Sequence, residues 1–320
     1  MRRKQKVFGL IEFSEELVCA ADSLGKSVII VLSNHEATLT LPSLPNWLPN
    51  EKDPLSKCLI GPKPADKWKS GNEPILWGKP FSYPEGTSEV NFAFLEFIID
   101  SSLIDEVSKE IYLAFPDWLN LFEKYTKLLT KQHTKNQVFV KNEPPRLKLI
   151  SQESNKLKKI TSNFYNEIAI VDWQEDTSLH YNQLVTASQF SSKRLKPRLE
   201  YELLLDAYVA RSKDDYRKVI LEGASALEVC LTSRIQNEFE SLKIKFGSKL
   251  LDKFRMLGGR FELIRLLGIE LPDKDYEKII IKPRNDVVHK AKYPDLKTAY
   301  SFINEVESLI CILSPQLFEN

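Results

Sequence analysis

The residue types and spacing best suited to chemistry lie in the run Ile279-Ile280-Ile281-Lys282-Pro283-Arg284-Asn285-Asp286-Val287-Val288-His289-Lys290. Histidine exchanges protons near neutral pH and can serve as a general acid or base. Arginine offers a planar fork of N–H donors that grips a phosphate through two bonds. Asn285 and His289 stand four apart, so on a helix they share a face. Arg284 leaves the axis about 140° from His289, yet its long side chain can curl over a phosphate held there. Asp286, in the same turn, is a further polar group able to assist.

Two neighbours in this run bear on the backbone. Val287 and Val288 continue the apolar stripe of Ile280 and Ile281 one heptad on, and are expected to anchor the helix in a core. Pro283 lacks an amide and crowds the carbonyl of Ile279. The helix is therefore expected to begin or to kink there, leaving amides near Arg284 free to help bind an anion. The competing reading puts Arg284 and Asp286 in surface ion pairs and has His289 cap a helix end.

The elements that must position this run belong to the second of two unlike halves. All five Trp and most of the 17 Pro precede residue 175, and Pro-rich sequence with alternating apolar residues belongs to strands and turns. Val7–Phe13, Ser27–Leu32, Ala37–Leu41 and Val90–Ile99 are expected as strands. Phe92, Phe94 and, less regularly, Phe97 alternate in the last of these. A turn-rich stretch from Pro42 to Gly86 lies between them. One helix is expected from about Asp105 to Lys131, interrupted near Phe115-Pro116. Three short strands should follow it, at Gln137–Val140, Leu147–Ile150 and Glu167–Trp173.

Past residue 175 the period changes. Leu203, Leu204, Ala207 and Tyr208 recur at three-to-four spacing. So do Val219, Ile220, Ala224, Leu227 and Leu231, and then Leu296, Ala299, Ile303, Val306 and Ile310. Ser212 to Asp215 reads as a capping box for the second long helix, and Pro294-Asp295 introduces the last one. Gly258-Gly259 and Gly268 are expected to punctuate the shorter helices. The fold class is α+β: a β-rich mixed domain over 1–175 followed by an all-helical bundle of about five helices over 176–320.

Other motifs carry less. Ala20 to Ser27 spells a relaxed P-loop, but Val28–Leu32 after it reads as a strand, whereas phosphate binding needs a helix leaving the loop. Phe97-Ile98-Ile99-Asp100 could be taken for a Walker-B segment, as could any apolar strand ending in Asp. Lysines and arginines gather between Lys124 and Lys159, and again at Lys193, Arg194, Lys196 and Arg198. The second group precedes the first long helix of the bundle and could flank a phosphate-bearing ligand. A net charge of +1 gives no overall bias toward nucleic acid, so any such contact must be local. The four Cys show no pairing pattern, which points to unpaired thiols in a reducing compartment and no structural zinc. Glu12, Glu15 and Glu16 cut short the signal-like start, and no apolar run reaches the ~20 residues of a membrane span. A cytoplasmic protein with no membrane partner and no cofactor is expected.

The Arg-Asn-x-x-x-His run resembles the hallmark of the HEPN superfamily, matching at Arg284, Asn285 and His289. Tyr216 to Glu228 is similar to that family's second long helix, and the resemblance spans roughly Asp176 to Pro315. The whole architecture looks like the ApeA-like and abortive-infection group of bacterial anti-phage proteins. The resemblance implies a homodimer in which two motif helices face one another across one composite cleft. It also implies metal-independent endoribonuclease action on RNA, with tRNA a candidate substrate. His289 would act on the 2′-OH or the leaving 5′-oxygen, and Arg284 would bind the scissile phosphate. Asn285 would orient either one, Asp286 could assist, and a 2′,3′-cyclic phosphate would remain. Glu222 or Glu228 on the neighbouring helix could pair with Arg284. A regulated toxin is implied, gated by the first domain as sensor and answering to a phage-derived trigger or an antitoxin partner. The alternatives are a HEPN-like binding module without nuclease activity and a plain dimerisation domain serving that sensor.

Overall fold

A computed structural model describes residues 4–45, 58–70, 73–80, 86–131, 147–153, 156–159 and 178–318. The chain divides into two units, Met1–Leu195 and Lys196–Asn320.

The first unit is built on an antiparallel sheet. Its strands are β1 (Lys4–Ala20), β2 (Ser27–Leu32), β3 (His35–Thr40), β6 (Gly78–Pro80), β7 (Thr87–Asp100), β8 (Leu147–Glu153) and β9 (Lys156–Lys159), and β4 (Lys69–Ser70) with β5 (Glu73–Pro74) forms a separate small ladder. The order is β2-β3-β7-β1-β8-β9, and β6 adds to the β7 edge beyond the end of β3. β1 and β7 pair along most of their length, with a register shift between Glu12 and Leu17.

Two-residue alternation explains why both faces of the central strands are apolar. Phe8 stacks on Phe94 at 5.5 Å with Trp68 edge-on to both, whereas Phe13, of opposite parity to Phe8, stacks on Phe122 of a helix. Phe97 therefore faces away from Phe92 and Phe94, the physical content of its irregular spacing. In β2, Val28, Ile30 and Leu32 are buried while Ile29 and Val31 are exposed.

Helix α1 (Ile104–Thr130) continues unbroken through Pro116, contrary to the expected interruption. Phe115, Trp118 and Phe122 are buried and stacked in series there. Burial of three aromatic rings outweighs one missing backbone hydrogen bond, about 1 kcal/mol. Helix α2 (Tyr181–Ser192) also belongs to this unit, so the division falls some twenty residues beyond the expected 175/176. Phe190 packs edge-on against Tyr125 at 5.1 Å, Tyr125 donates to the Leu195 carbonyl, and Gln183 donates to Leu129. The expected strands at Gln137–Val140 and Glu167–Trp173 lie outside the described residues, as do Lys135, Lys141 and Arg146. Strand β1 leads into the Ala20–Gly25 turn and strand β2 leaves it, with no helix where a phosphate loop would need one. Asp100 caps the short helical turn that follows β7.

A titratable cluster sits at the β1 irregularity. Burial, the Glu89 charge and a hydrogen bond between the two carboxyls push Glu16 up to about 7 from an ordinary 4.5, against Lys79. Lys79 Nζ lies 3.2 Å from the buried Glu89. Between those two pH values the folded chain holds a proton that the unfolded chain releases. The stabilisation is thus complete below pH 4.5 and lost as pH rises through 7. Glu16→Gln should therefore stabilise the protein at pH 8 by about 1 kcal/mol, discounted for residual solvent access, with little gain at pH 4. Denaturant midpoints at the two pH values check this; an equal shift at both would contradict it.

The second unit is helical: α3 (Leu199–Ser212), α4 (Tyr216–Ser241), α5 (Gly247–Lys253), α6 (Leu257–Leu266), α7 (Lys282–Lys290) and α8 (Leu296–Leu313). Helix α4 runs through its centre, packed by α3, α6, α7 and α8. Val219, Ile220, Ala224, Ala226, Leu227, Leu231 and Ile235 are all buried, as a helix with neighbours on several sides requires. Gly223 lets α8 approach, since a Cβ there would stand 2.9 Å from the Phe302 ring. Asp215 caps α4 and Asp295 caps α8, each accepting an amide three residues on. Ser212 instead ends α3 and bonds the Val209 carbonyl, so the expected box reduces to one cap. Gly258 and Gly259 lie inside α6, and Gly268 follows its end in left-handed backbone at φ +71°. Arg198 is turned onto the buried Glu200 at 2.7 Å, and Ser314 donates to the same carboxylate. That arginine of the second basic group thus serves to tie α3 to the end of α8.

None of the four Cys is in a disulfide, and burial pushes Cys19 and Cys230 up to about 12. Among the described residues no helix is long and apolar enough to cross a membrane.

Candidate active site

Helix α7 carries the motif, but it does not begin at Pro283. The helical path starts one to two turns earlier, where Asp275 accepts the Lys278 amide, and passes through a π turn over Glu277–Ile281. The Lys282 amide there reaches back five residues to the Glu277 carbonyl. A π turn widens the helix by a residue, which accommodates a ring that cannot donate and would crowd a tighter turn. Arg284 therefore sits within a continuous helix rather than at a free amide end, correcting the expected anion-binding terminus.

The packing of this segment fixes where the polar groups point. Tyr276 is buried, stacks on Phe261 of α6 at 5.0 Å and donates to the Pro272 carbonyl. Ile280 and Val287, one heptad apart, are buried against the bundle. Val288 is not: it is 42% exposed, so the valine pair splits between core and surface. One hundred degrees per residue allows only one of two consecutive positions to lie at the centre of a buried stripe.

On the outer side, Arg284, Asn285 and His289 come together. Arg284 Nη1 lies 3.3 Å from Asn285 Oδ1 and 3.4 Å from His289 Nε2. A guanidinium only donates, so Nε2 accepts from it in the tautomer that carries its proton on Nδ1. The lone pair that a general base uses is thus turned toward the group that would hold an anion. Arg284 Nη2 reaches Glu228 Oε1 on α4 at 3.4 Å, with the two side chains 18% and 36% exposed. Of the two glutamates that could meet Arg284, Glu228 is the one that does.

Asp286 points elsewhere. Lys290 donates to its Oδ1 at 2.7 Å and Lys292 to its Oδ2 at 3.1 Å. These bonds hold the carboxyl below the usual aspartate range. Its backbone carbonyl accepts the amides of Ala291, in left-handed backbone, and of Lys292. This end of α7 is closed by backbone and Asp286, so the ion-pair reading holds for Asp286 and, through Glu228, for Arg284, while capping by His289 is replaced by capping through the main chain. Asp286→Asn should accordingly leave any activity of the site within about threefold, as for a group outside the reacting constellation. A loss matching that of His289→Ala, measured side by side, would restore Asp286 to the chemistry.

One residue at this site carries no local sequence signal. Arg260 of α6 has its Nη1 buried without a hydrogen-bond partner. Burial pulls this guanidinium below the usual arginine range, and the charges of Glu228 and Asp252 oppose that. Glu228 therefore acts on two arginines, paired with Arg284 on α7 and, without a direct bond, through its charge on Arg260 of α6.

Known family models, curated proteins and solved structures were each compared with this chain, and none matches it.

Proposed function

We propose that the helical unit is a metal-independent endoribonuclease of the HEPN type, with Arg284, Asn285 and His289 as its catalytic residues. One observation carries this reading: an arginine fork lies 3.4 Å from Nε2 of a histidine, on the solvent side of a helix anchored by Ile280 and Val287. A phosphodiester gripped by Arg284 would bring its ribose 2′-OH within reach of His289 Nε2. The base removes the 2′-OH proton, the 2′-oxygen attacks phosphorus, and the P–O5′ bond breaks with a proton delivered to the leaving oxygen. The products are a 2′,3′-cyclic phosphate and a 5′-hydroxyl. Arg284 stabilises the charge that builds on the phosphoryl oxygens, a task that needs no metal. Asn285, bonded to Arg284, holds the fork in its orientation.

A single histidine cannot be base and acid in the same step, which favours a homodimer in which each copy supplies one role. Support comes from the surface beside the motif, where Val288, Tyr293 and Leu296 are 42%, 66% and 52% exposed. Apolar side chains clustered at a polar site suit burial by a second copy. In a cell such an enzyme requires restraint, and the first unit is the part of this chain available to supply it. Parallel expression of the wild type and His289→Ala tests the reading. Growth arrest with fragmented RNA in the first strain alone is expected; equal growth with intact RNA in both would overturn it.

A further inference from the structure

Glu228 on α4 pairs with Arg284, the group that would hold a substrate phosphate, and its charge also acts on Arg260 of the adjacent α6, whose Nη1 is buried with no hydrogen-bond partner. We propose that Glu228 is a positioning residue that switches partners, leaving Arg284 for Arg260 when a phosphodiester enters the site. The inference rests on the reading of Arg284 as a phosphate-binding residue. Before binding, Glu228 neutralises Arg284 and keeps the fork folded against Asn285 and His289. A phosphate that displaces it would strand a carboxylate on α4, an unfavourable outcome for a partly buried charge left unpaired. Arg260 removes that cost, because the incoming carboxylate satisfies its orphaned Nη1. Two cations sharing one anion also set a selectivity. Only a ligand that competes as a fork-matched oxyanion releases Glu228, which excludes neutral molecules from the site.

The test is binding of a 2′-O-methyl RNA oligonucleotide, which cannot be cleaved by 2′-OH attack, to the full chain by fluorescence anisotropy. Glu228→Gln should tighten binding about fivefold or more, because Arg284 starts unoccupied. Glu222→Gln, the same charge change elsewhere on α4, should do so by less than about twofold at physiological salt, where distant charges are screened. Arg260→Gln should weaken binding about fivefold in the wild-type background and leave it unchanged in Glu228→Gln, a coupling that independent residues do not show. Arg260→Lys, which keeps the cation and preserves the fold if the glutamine variant does not, should retain most of the affinity. Equal effects of Arg260→Gln in both backgrounds, or of the two glutamate variants, would overturn the switch while leaving the nuclease reading intact. An oligonucleotide that binds no form, the wild type included, would remove the phosphate site and the switch together.

Discussion

His289→Ala should lower the rate of RNA cleavage by about a thousandfold, with the fold unchanged. The size follows from losing a positioned proton acceptor for the 2′-OH, a group that ionises far too weakly at neutral pH to attack unaided. The side chain is exposed and its ring contacts the solvent-side arginine, while the helix is held by Ile280 and Val287 on the opposite side. The substitution should therefore leave the melting temperature within a degree or two, since surface changes of this kind shift stability by less than about 0.5 kcal/mol. If each copy in a dimer supplies one histidine role, mixing wild type with His289→Ala should produce heterodimers impaired nearly as much as the variant homodimer. Initial rates on a labelled RNA, across mixing ratios, distinguish this from a linear decline, which would indicate that each copy is a complete site.

Arg284→Ala should cost a hundredfold or more, and most of it in kcat rather than KM. The guanidinium is worth most when charge has built up on the phosphoryl oxygens, so its removal raises the barrier more than it weakens the ground-state complex. Arg284→Lys should recover only part of the loss. A lysine restores the charge but not the fork, and it cannot hold Asn285, His289 and a phosphate in one plane. Removing Arg284 also takes away the ion-pair partner of Glu228, whose side chain is 36% exposed. In the double variant Arg284→Ala, Glu228→Gln the loss should be slightly smaller than in Arg284→Ala, because a repelling carboxylate is gone from the phosphate site. Steady-state kinetics on one RNA substrate measures both effects, and a rate unaffected by Arg284→Ala would remove the assigned role.

Much of this site was legible in the sequence because it obeys helical geometry. Asn285 and His289 share a face by their spacing, Arg284 is long enough to curl back to them, and the core positions Ile280 and Val287 are one heptad apart. The α+β order, the long helices and the Asp295 cap follow from period and composition in the same way. The failures have a common origin in tertiary packing that local rules do not register. Proline is a helix breaker in isolation, yet α1 runs through Pro116 because stacked aromatic rings hold it, and the motif helix runs through Pro283 by a π turn. Helix α2 has the period of the second half but packs on Tyr125 and Trp118 of the first. Asp286 sits beside the motif in sequence and is claimed by two lysines, whereas Arg260, remote in sequence, comes under the charge of Glu228 because α6 packs on α4.

Arg284, Asn285 and His289 are proposed to cut RNA through its 2′-OH without a metal. Incubating the purified full chain with RNA and with its 2′-O-methyl counterpart, in excess chelator, and identifying the product ends tests that most directly. The account predicts fragments of the ribose substrate ending in 2′,3′-cyclic phosphate and 5′-hydroxyl, an intact 2′-O-methyl strand, and no cutting by His289→Ala. RNA left whole by the wild type, or cleavage that persists in His289→Ala or on the methylated strand, would contradict it.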